Sequence, residues 1–238
     1  MSWISLSLAF AFFLLLFRLN FLSKNQYLCL CLTAGLGNTS FVGFPLLLAF
    51  LGPESLPYGV LVDQPGTFLA LSTLGSLIAI KNSNQNKSLT QILKQVLTFP
   101  PLIALVLSIG LKSIQVPEMI WSGLSRIGDT LTPLALFSVG YSFEWRSLNK
   151  EKIPLTLGLG FKLILFPFLV WMWIKLNGRV WNMSNKVLLL ESAMAPMVSS
   201  SILAITHGFE EKLANLMLGL GIPISILTVY FWKELFFI

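Results

Sequence analysis

The chain has 238 residues, of which 55% are hydrophobic and 11% charged, and its formal net charge is +6. Soluble domains contain about 25% charged residues, so this composition excludes an ordinary soluble protein and predicts an all-α, polytopic membrane protein. A spanning helix needs about 20 residues, and the length therefore accommodates about eight transmembrane helices.

Three predicted spans occupy the first part of the chain: Trp3–Phe17, Tyr27–Phe50 and Pro57–Ile80. The second of them contains the sequence GLGNTSFVGFP at Gly35–Pro45. Gly and Pro weaken a helix, and freed backbone groups are tolerated inside a membrane only against protein or a wet cavity. The stretch predicts a broken helix whose two ends point at a ligand. The alternative is a kinked helix that packs through small residues.

A polar loop separates this part from the remaining spans. Lys81–Lys87 is its most polar stretch, and Thr90–Leu97 is amphipathic, which is typical of a segment at the membrane interface. The predicted organisation is a partial first repeat of three helices (1–80), a cytoplasmic loop with the interfacial segment (81–98) and a second repeat of five helices (99–238). The five later spans are Phe99–Leu111, Met119–Phe143, Ile153–Leu176, Asn185–Thr206 and Leu213–Trp232.

The seventh span repeats the pattern of the second. Small and polar residues with a proline, Ala193–Ser201, follow an apolar start. Equivalent helices that lie five spans apart run in opposite directions, which indicates an inverted repeat. Matched interrupted segments are the best sequence pointer to a transporter's binding site.

At these residues the chain resembles the auxin efflux carrier family of permeases, which belongs to the bile/arsenite/riboflavin transporter superfamily. The resemblance covers essentially the whole chain. Its motifs are Gly37–Leu46, Leu61–Phe68, Phe99–Ala104, Thr132–Gly140 and Ala193–Val198.

The resemblance implies an inverted-repeat transporter fold of ten helices in which the fourth and ninth are broken and cross at mid-membrane. The eight spans of this chain then correspond to family helices three to ten, without the first two. The family implies a permease that moves a small organic anion, auxin-like or a dicarboxylate, by an elevator-type movement. The alternative is a non-transporting remnant, or a half-protein that requires a partner chain.

The candidate substrate-binding residues lie at the two breaks and at the start of the third span. The Asn38 amide and freed N–H groups are expected to hold a carboxylate, although the same side chain has a capping role as its alternative. For Asp63 the alternative is a solvated structural role. The substrate-binding set is Gly37, Asn38, Thr39, Asp63, Gln64, Pro196 and Met197, and the structural set is Gly35, Pro45 and Ala195.

Intramembrane charges are functional candidates by default, and four are assigned to ion or proton coupling: Arg126, Asp129, Lys162 and Glu191. Arg126 and Asp129 lie three residues apart, so they are placed to pair. Lys162 has the alternative of reaching towards the interface. No metal site, cofactor or enzymatic constellation is predicted, and the two cysteines are expected to be small apolar residues of one helix.

Orientation follows from the loops. Those after spans one, three, five and seven carry more Lys and Arg than the opposite loops, so they are expected to be cytoplasmic and both termini external. The expected location is the plasma or inner membrane. The expected partners are a small organic anion and the lipid bilayer, with a homodimer left open and no nucleic acid.

Overall fold

The computed structural model describes residues 1–82, 100–111, 116–130, 148–178 and 181–236, together with residues 90, 94, 97, 98, 134, 137 and 141. The regular elements of these ranges are helical, as the composition predicted. The α-helices are α1 (Ser2–Arg18), α2 (Lys24–Gly35), α3 (Phe44–Leu51), α4 (Leu56–Val62), α5 (Ser76–Asn82), α6 (Pro100–Gly110), α7 (Glu118–Asp129), α8 (Leu148–Gly160), α9 (Phe166–Leu176), α10 (Met183–Ser192), α11 (Val198–Thr206) and α12 (Glu211–Phe236).

Two helices in the described ranges are long and apolar enough to cross a membrane. One is Leu148–Leu176, in which a π-helical turn joins α8 to α9, and the other is Glu211–Leu235 in α12. They coincide with the predicted sixth and eighth spans. The predicted count of eight spans stays a prediction, because most of 81–98 and most of 131–147 lie outside the described residues.

Helices α1 and α2 form a hairpin that leads into the first break. Ser23 caps α2: its hydroxyl accepts a hydrogen bond from the Gln26 backbone N–H, and the Gln26 side chain accepts one from the Ser23 N–H. This reciprocal pair satisfies two N–H groups that a helix start leaves free. Helix α2 then runs fully buried from Tyr27 to Gly35, with the predicted apolar cysteines Cys29 and Cys31 inside it.

Both interrupted spans are broken rather than kinked. Between α2 and α3 the chain is extended at Leu36 and then forms a π-helical turn, Thr39–Gly43, that runs into α3. Between α10 and α11 it is extended at Met197. The half-helices exchange partners: α2 packs against α11, whereas the Thr39–Gly43 turn packs against α10.

The chain from α4 to α5 is helical but widened by two π-helical turns, Asp63–Phe68 and Leu71–Gly75. The first contains Pro65, which has no N–H to continue the α-helical pattern. Helix α1 contacts this turn, since the Trp3 indole N–H donates to the Pro65 carbonyl oxygen at 2.9 Å.

Two apolar clusters lie on opposite sides of the breaks. One is built around α1, α2 and the first turns of α12. The other joins Leu47 of α3 to α10 and to Val229 and Trp232 near the end of α12. Helix α12 passes through both clusters, so the polar residues at the breaks occupy a layer between two apolar ones.

Candidate functional site: the crossing of two broken helices

The two breaks meet directly through their backbones. Gly37 and Pro196 face each other as an isolated antiparallel β-bridge. On one side the Asn38 N–H donates to the Ala195 carbonyl oxygen at 2.7 Å, and on the other the Met197 N–H donates to the Leu36 carbonyl oxygen at 3.1 Å. We call these six residues, Leu36–Asn38 and Ala195–Met197, the crossing.

The sequence suits this contact because neither Gly37 nor Pro196, the two residues that face each other, has to donate a hydrogen bond to the bridge. Pro196 has no N–H, and the bridge takes its hydrogen bonds from the residues on either side. Gly37 has no side chain, and a Cβ atom there would lie 2.9 Å from Lys162 Nζ. A Cβ at Gly221 of α12 would lie 2.6 Å from Pro196 Cδ, so α12 approaches the crossing through a glycine.

The depth of the crossing follows from the length of α12. Gly221 lies ten residues after the first residue of this helix, Glu211, which corresponds to about 15 Å along its axis. The hydrocarbon core of a bilayer is about 30 Å thick. A membrane crossed by α12 therefore has the Gly221–Pro196 contact near its middle.

Asn38 fulfils the capping role with one half of its side chain. Its Oδ1 accepts from the Phe41 N–H at 3.1 Å, which caps the Thr39–Gly43 turn. Its Nδ2 is buried and has no hydrogen-bond partner in the described part of the chain. Because buried amide groups are normally paired, this NH₂ is a donor available to a ligand.

Asp63 is buried, with 2% of its surface exposed, so the expected alternative of a solvated role is wrong. Thr39 Oγ1 donates to its Oδ1 at 2.5 Å, and Gln64 Nε2 donates to its Oδ2 at 3.0 Å. The Thr39 bond thereby ties a carboxylate of the third predicted span to the first break, and Gln64 supports that carboxylate from its own span.

Lys162 is also buried, at 1% exposure, and does not reach towards the interface as its alternative required. Its Nζ donates to the Ser192 carbonyl oxygen at 3.2 Å and lies 5.5 Å from the centre of the Phe166 ring. Ser192 is the last residue of α10, where carbonyl groups have no helical partner and the helix dipole is negative. The ammonium group therefore neutralises the end of this half-helix.

Glu191 lies in the same last turn of α10 and is fully buried. Neither of its carboxylate oxygens has a hydrogen-bond partner among the described residues. Its carboxylate faces Gly43 in the turn that begins the other half-helix, where a Cβ would lie 2.7 Å from Glu191 Oε2. Sequence reasoning did not select Gly43 as a site residue, because nothing in its spacing indicates which side chain packs against it.

The structural candidates support the breaks. A Cβ at Gly35 would lie 3.0 Å from Leu6 Cδ1, so this glycine permits close packing of α1. Pro45 lies where the π-helical Thr39–Gly43 turn runs into α3, and its missing N–H coincides with this change in the helical hydrogen-bond pattern. The hydroxyl groups of Ser200 and Ser201 donate to the Met197 carbonyl oxygen and thus bond their own helix.

Two coupling candidates are not brought to this site in the described structure. Arg126 is exposed on α7, and Asp129 ends that helix with a side chain outside the described part of the structure. The described residues also contain no group of three His, Cys, Asp or Glu side chains that could hold a metal ion.

Comparison with known proteins identifies the class of molecule that carries this crossing. Residues 1–233 match the family model described as membrane transport protein. An uncharacterized transporter of Methanocaldococcus jannaschii is 29% identical over 209 residues, which cover 85% of this chain and 66% of the relative. An uncharacterized transporter of Methanothermobacter thermautotrophicus is 25% identical over 205 residues, 86% of this chain and 66% of the relative.

The chain thus spans slightly less than two thirds of the length of these relatives. The family match extends over almost all of its own residues and includes both breaks. The chain therefore belongs to this family of membrane transport proteins, the auxin efflux carrier family that its motifs indicated.

Proposed function

We propose that this protein is a permease of the plasma or inner membrane that moves a small organic anion, auxin-like or a dicarboxylate, past the crossing. The observation that carries the proposal is the buried, unpartnered Asn38 amide beside a backbone bridge between two broken helices. A buried donor of this kind is suited to a carboxylate oxygen.

The electrostatics of the half-helices support an anion. The Thr39–Gly43 turn and α11 both begin next to the crossing, and the first turns of helices carry free N–H groups and partial positive charge. The carboxyl-terminal end of α10 carries the opposite, negative partial charge, and Lys162 compensates it there. An anion placed beside Asn38 therefore faces donors and partial positive charge.

An elevator-type movement is the mechanism we propose for alternating access. The two backbone bonds of the crossing tie the half-helices to one another. Such a bundle moves as one body, because its internal hydrogen bonds have no water to replace them inside a membrane. Sliding of this body carries the site from one membrane face to the other.

The test replaces the donor while it keeps the cap. Asn38→Asp retains an oxygen for the Phe41 N–H but substitutes a carboxylate oxygen for the NH₂ group. Loss of one bond to a charged ligand costs about 1.5–3 kcal/mol, so we expect uptake at subsaturating concentration to fall about tenfold or more. The measurement is uptake of radiolabelled malonate, and separately of indole-3-acetic acid, into proteoliposomes that contain the chain.

Asn25→Asp is the matched control, since Asn25 is exposed in the first turn of α2 and an acidic residue there is tolerated. It is expected to transport like the parent chain. Equal uptake by the Asn38→Asp variant would contradict the assignment of the site.

A further inference from the structure

The geometry points to Glu191 as a proton-binding residue, whose protonation accompanies the binding of an anion at the crossing. The proton-binding role follows from the surroundings of the carboxyl group alone. Its link to anion binding rests on the proposed function.

The Glu191 side chain is fully buried and lacks hydrogen-bond donors in the ranges that the structure describes. Its exposure is 0%, and no donor reaches either carboxylate oxygen within the described part of the chain. An ionised carboxylate in such a place loses its hydration and gains no hydrogen bond in exchange. It also lies at the negative end of its own helix, α10. A bound proton removes the charge and with it most of this cost.

Asp63 is the contrasting carboxylate at the same site. It accepts hydrogen bonds from the Thr39 hydroxyl and from the Gln64 amide. Bonds donated to the ionised form of a carboxylate stabilise that form. The two acids are thus distinguished by their partners: Asp63 has two donors that favour its charged form, whereas Glu191 has none in the described part of the chain. The negative charge is therefore assigned to Asp63 and the exchangeable proton to Glu191.

Lys162 completes the charge balance. Asp63 and Lys162 are the charged groups nearest to Glu191 in its surroundings: Lys162 bonds the carbonyl oxygen of the next residue, Ser192, and Asp63 bonds Thr39 in the turn that the Glu191 carboxylate faces. One positive and one negative charge offset each other, so the site is neutral overall when Glu191 is protonated. Among the described residues, the other titratable side chains on elements that pack against α10 lie at the surface or at helix ends. They are Glu54, Tyr58, Lys175, Glu211, Lys212, Tyr230, Lys233 and Glu234.

Deprotonation of Glu191 leaves the site with one surplus negative charge. An anion beside Asn38 is repelled by that charge, whereas it is not repelled when the proton is bound. Linkage makes the effect reciprocal: protonation strengthens anion binding, and anion binding strengthens protonation to the same degree. Transport of the anion is thereby accompanied by a proton that moves in the same direction.

Infrared difference spectroscopy of the full chain in lipid tests the proton site without any substrate. Spectra recorded across a pH titration are expected to show a protonated-carboxyl band that Glu191→Gln removes. Asp63→Asn and the exposed-residue control Glu54→Gln should retain the band. Persistence of the unaltered band in Glu191→Gln, or its removal by Asp63→Asn alone, would overturn the proposal.

A second variant separates loss of the carboxyl group from loss of folding. Glu191→Asp keeps a carboxyl group in a shorter side chain, so its band should remain but shift in frequency. An unshifted band would assign the proton to another residue and overturn the proposal in the same way.

Malonate uptake distinguishes the two halves of the inference. In the parent chain uptake should rise with an inwardly directed proton gradient, and in Glu191→Gln it should lose its dependence on pH. If Asn38→Asp leaves uptake unchanged while Glu191→Gln removes the infrared band, the substrate site fails and the proton site stands. If uptake by Glu191→Gln keeps the pH dependence of the parent chain, proton coupling through Glu191 fails.

Discussion

At the scale of single residues, the crossing depends on one residue without a backbone N–H and two residues without a side chain. Pro196 lacks an N–H and occupies a bridge position that needs none. Gly37 lacks a side chain where Lys162 passes, and Gly221 lacks one where the proline ring packs. Each omission permits a close backbone approach that larger residues would prevent.

Gly221→Ala is the substitution that tests this packing. The added Cβ would lie 2.6 Å from Pro196 Cδ, and the ring cannot retreat, because backbone bonds on both sides hold it in place. Overpacking costs about 1–3 kcal/mol, and a contact this short belongs to the upper part of that range, above the gain of about 1 kcal/mol that alanine brings to a helix. We expect a lower unfolding temperature in detergent, measured by the fraction of protein that stays monodisperse on heating.

Gly160→Ala is the matched control, since a Cβ there meets no atom within 4 Å in the described structure. The same gain in helix propensity applies to it without the clash. An unfolding temperature for Gly221→Ala equal to that of Gly160→Ala would refute the close contact with Pro196.

At the scale of helices, the beginnings of α2, α8 and α12 meet at one end of the bundle. Gln26 Nε2 donates to Glu151 Oε2 at 2.9 Å, and the Cys29 thiol lies 3.6 Å from the Glu210 carbonyl oxygen. Glu210 immediately precedes α12. Burial raises the pKa of the Glu210 carboxyl, and the field of Glu151 adds to this rise, whereas Lys212 opposes it.

The sign of the resulting pH dependence is set by the raised pKa. The folded protein holds the Glu210 proton more tightly than the unfolded chain, so the stabilisation is fully present below the unfolded pKa and is lost as the pH rises through the folded value. Glu210→Gln should therefore gain stability relative to the parent chain as the pH is raised over that range. The difference is expected to stay below about 1 kcal/mol, because partly exposed charges are screened.

Thermal unfolding at a series of pH values measures this difference. Glu211→Gln provides the comparison, since Glu211 is the exposed next residue and the first of α12. A difference between Glu210→Gln and the parent chain that does not change with pH would contradict the cause given for the shift.

The sequence predicted that the two broken helices form a site, but it did not predict which residues contact one another there. The breaks at Gly35–Pro45 and Ala193–Ser201 were visible because glycine, proline and polar residues interrupt apolar runs, which is a local signal. The burial of Asp63 and Lys162 was not visible, because spacing along a helix does not tell which neighbour covers a charge. The pairing of Gly43 with Glu191 and of Gly221 with Pro196 depends in the same way on tertiary contacts between distant segments.

At the scale of the whole molecule, the orientation in the membrane is the property that the charge pattern predicts. The continuous helix Leu148–Leu176 begins beside the start of α2, since Gln26 bonds Glu151, and it is 29 residues long. At about 1.5 Å per residue it spans roughly 43 Å, which exceeds the hydrocarbon thickness. We therefore expect Lys24 and Asn177 near opposite membrane faces, with Lys24 on the predicted cytoplasmic side.

Cysteine labelling of intact cells tests this orientation. Lys24→Cys and Asn177→Cys place single thiols at exposed positions, whereas the native Cys29 and Cys31 are fully buried and give little background in the folded protein. A membrane-impermeant maleimide is expected to label Asn177→Cys from outside, and Lys24→Cys only after the membrane is opened. The reverse pattern would place both termini in the cytoplasm, and labelling of both positions from outside would contradict the spanning of Leu148–Leu176 itself.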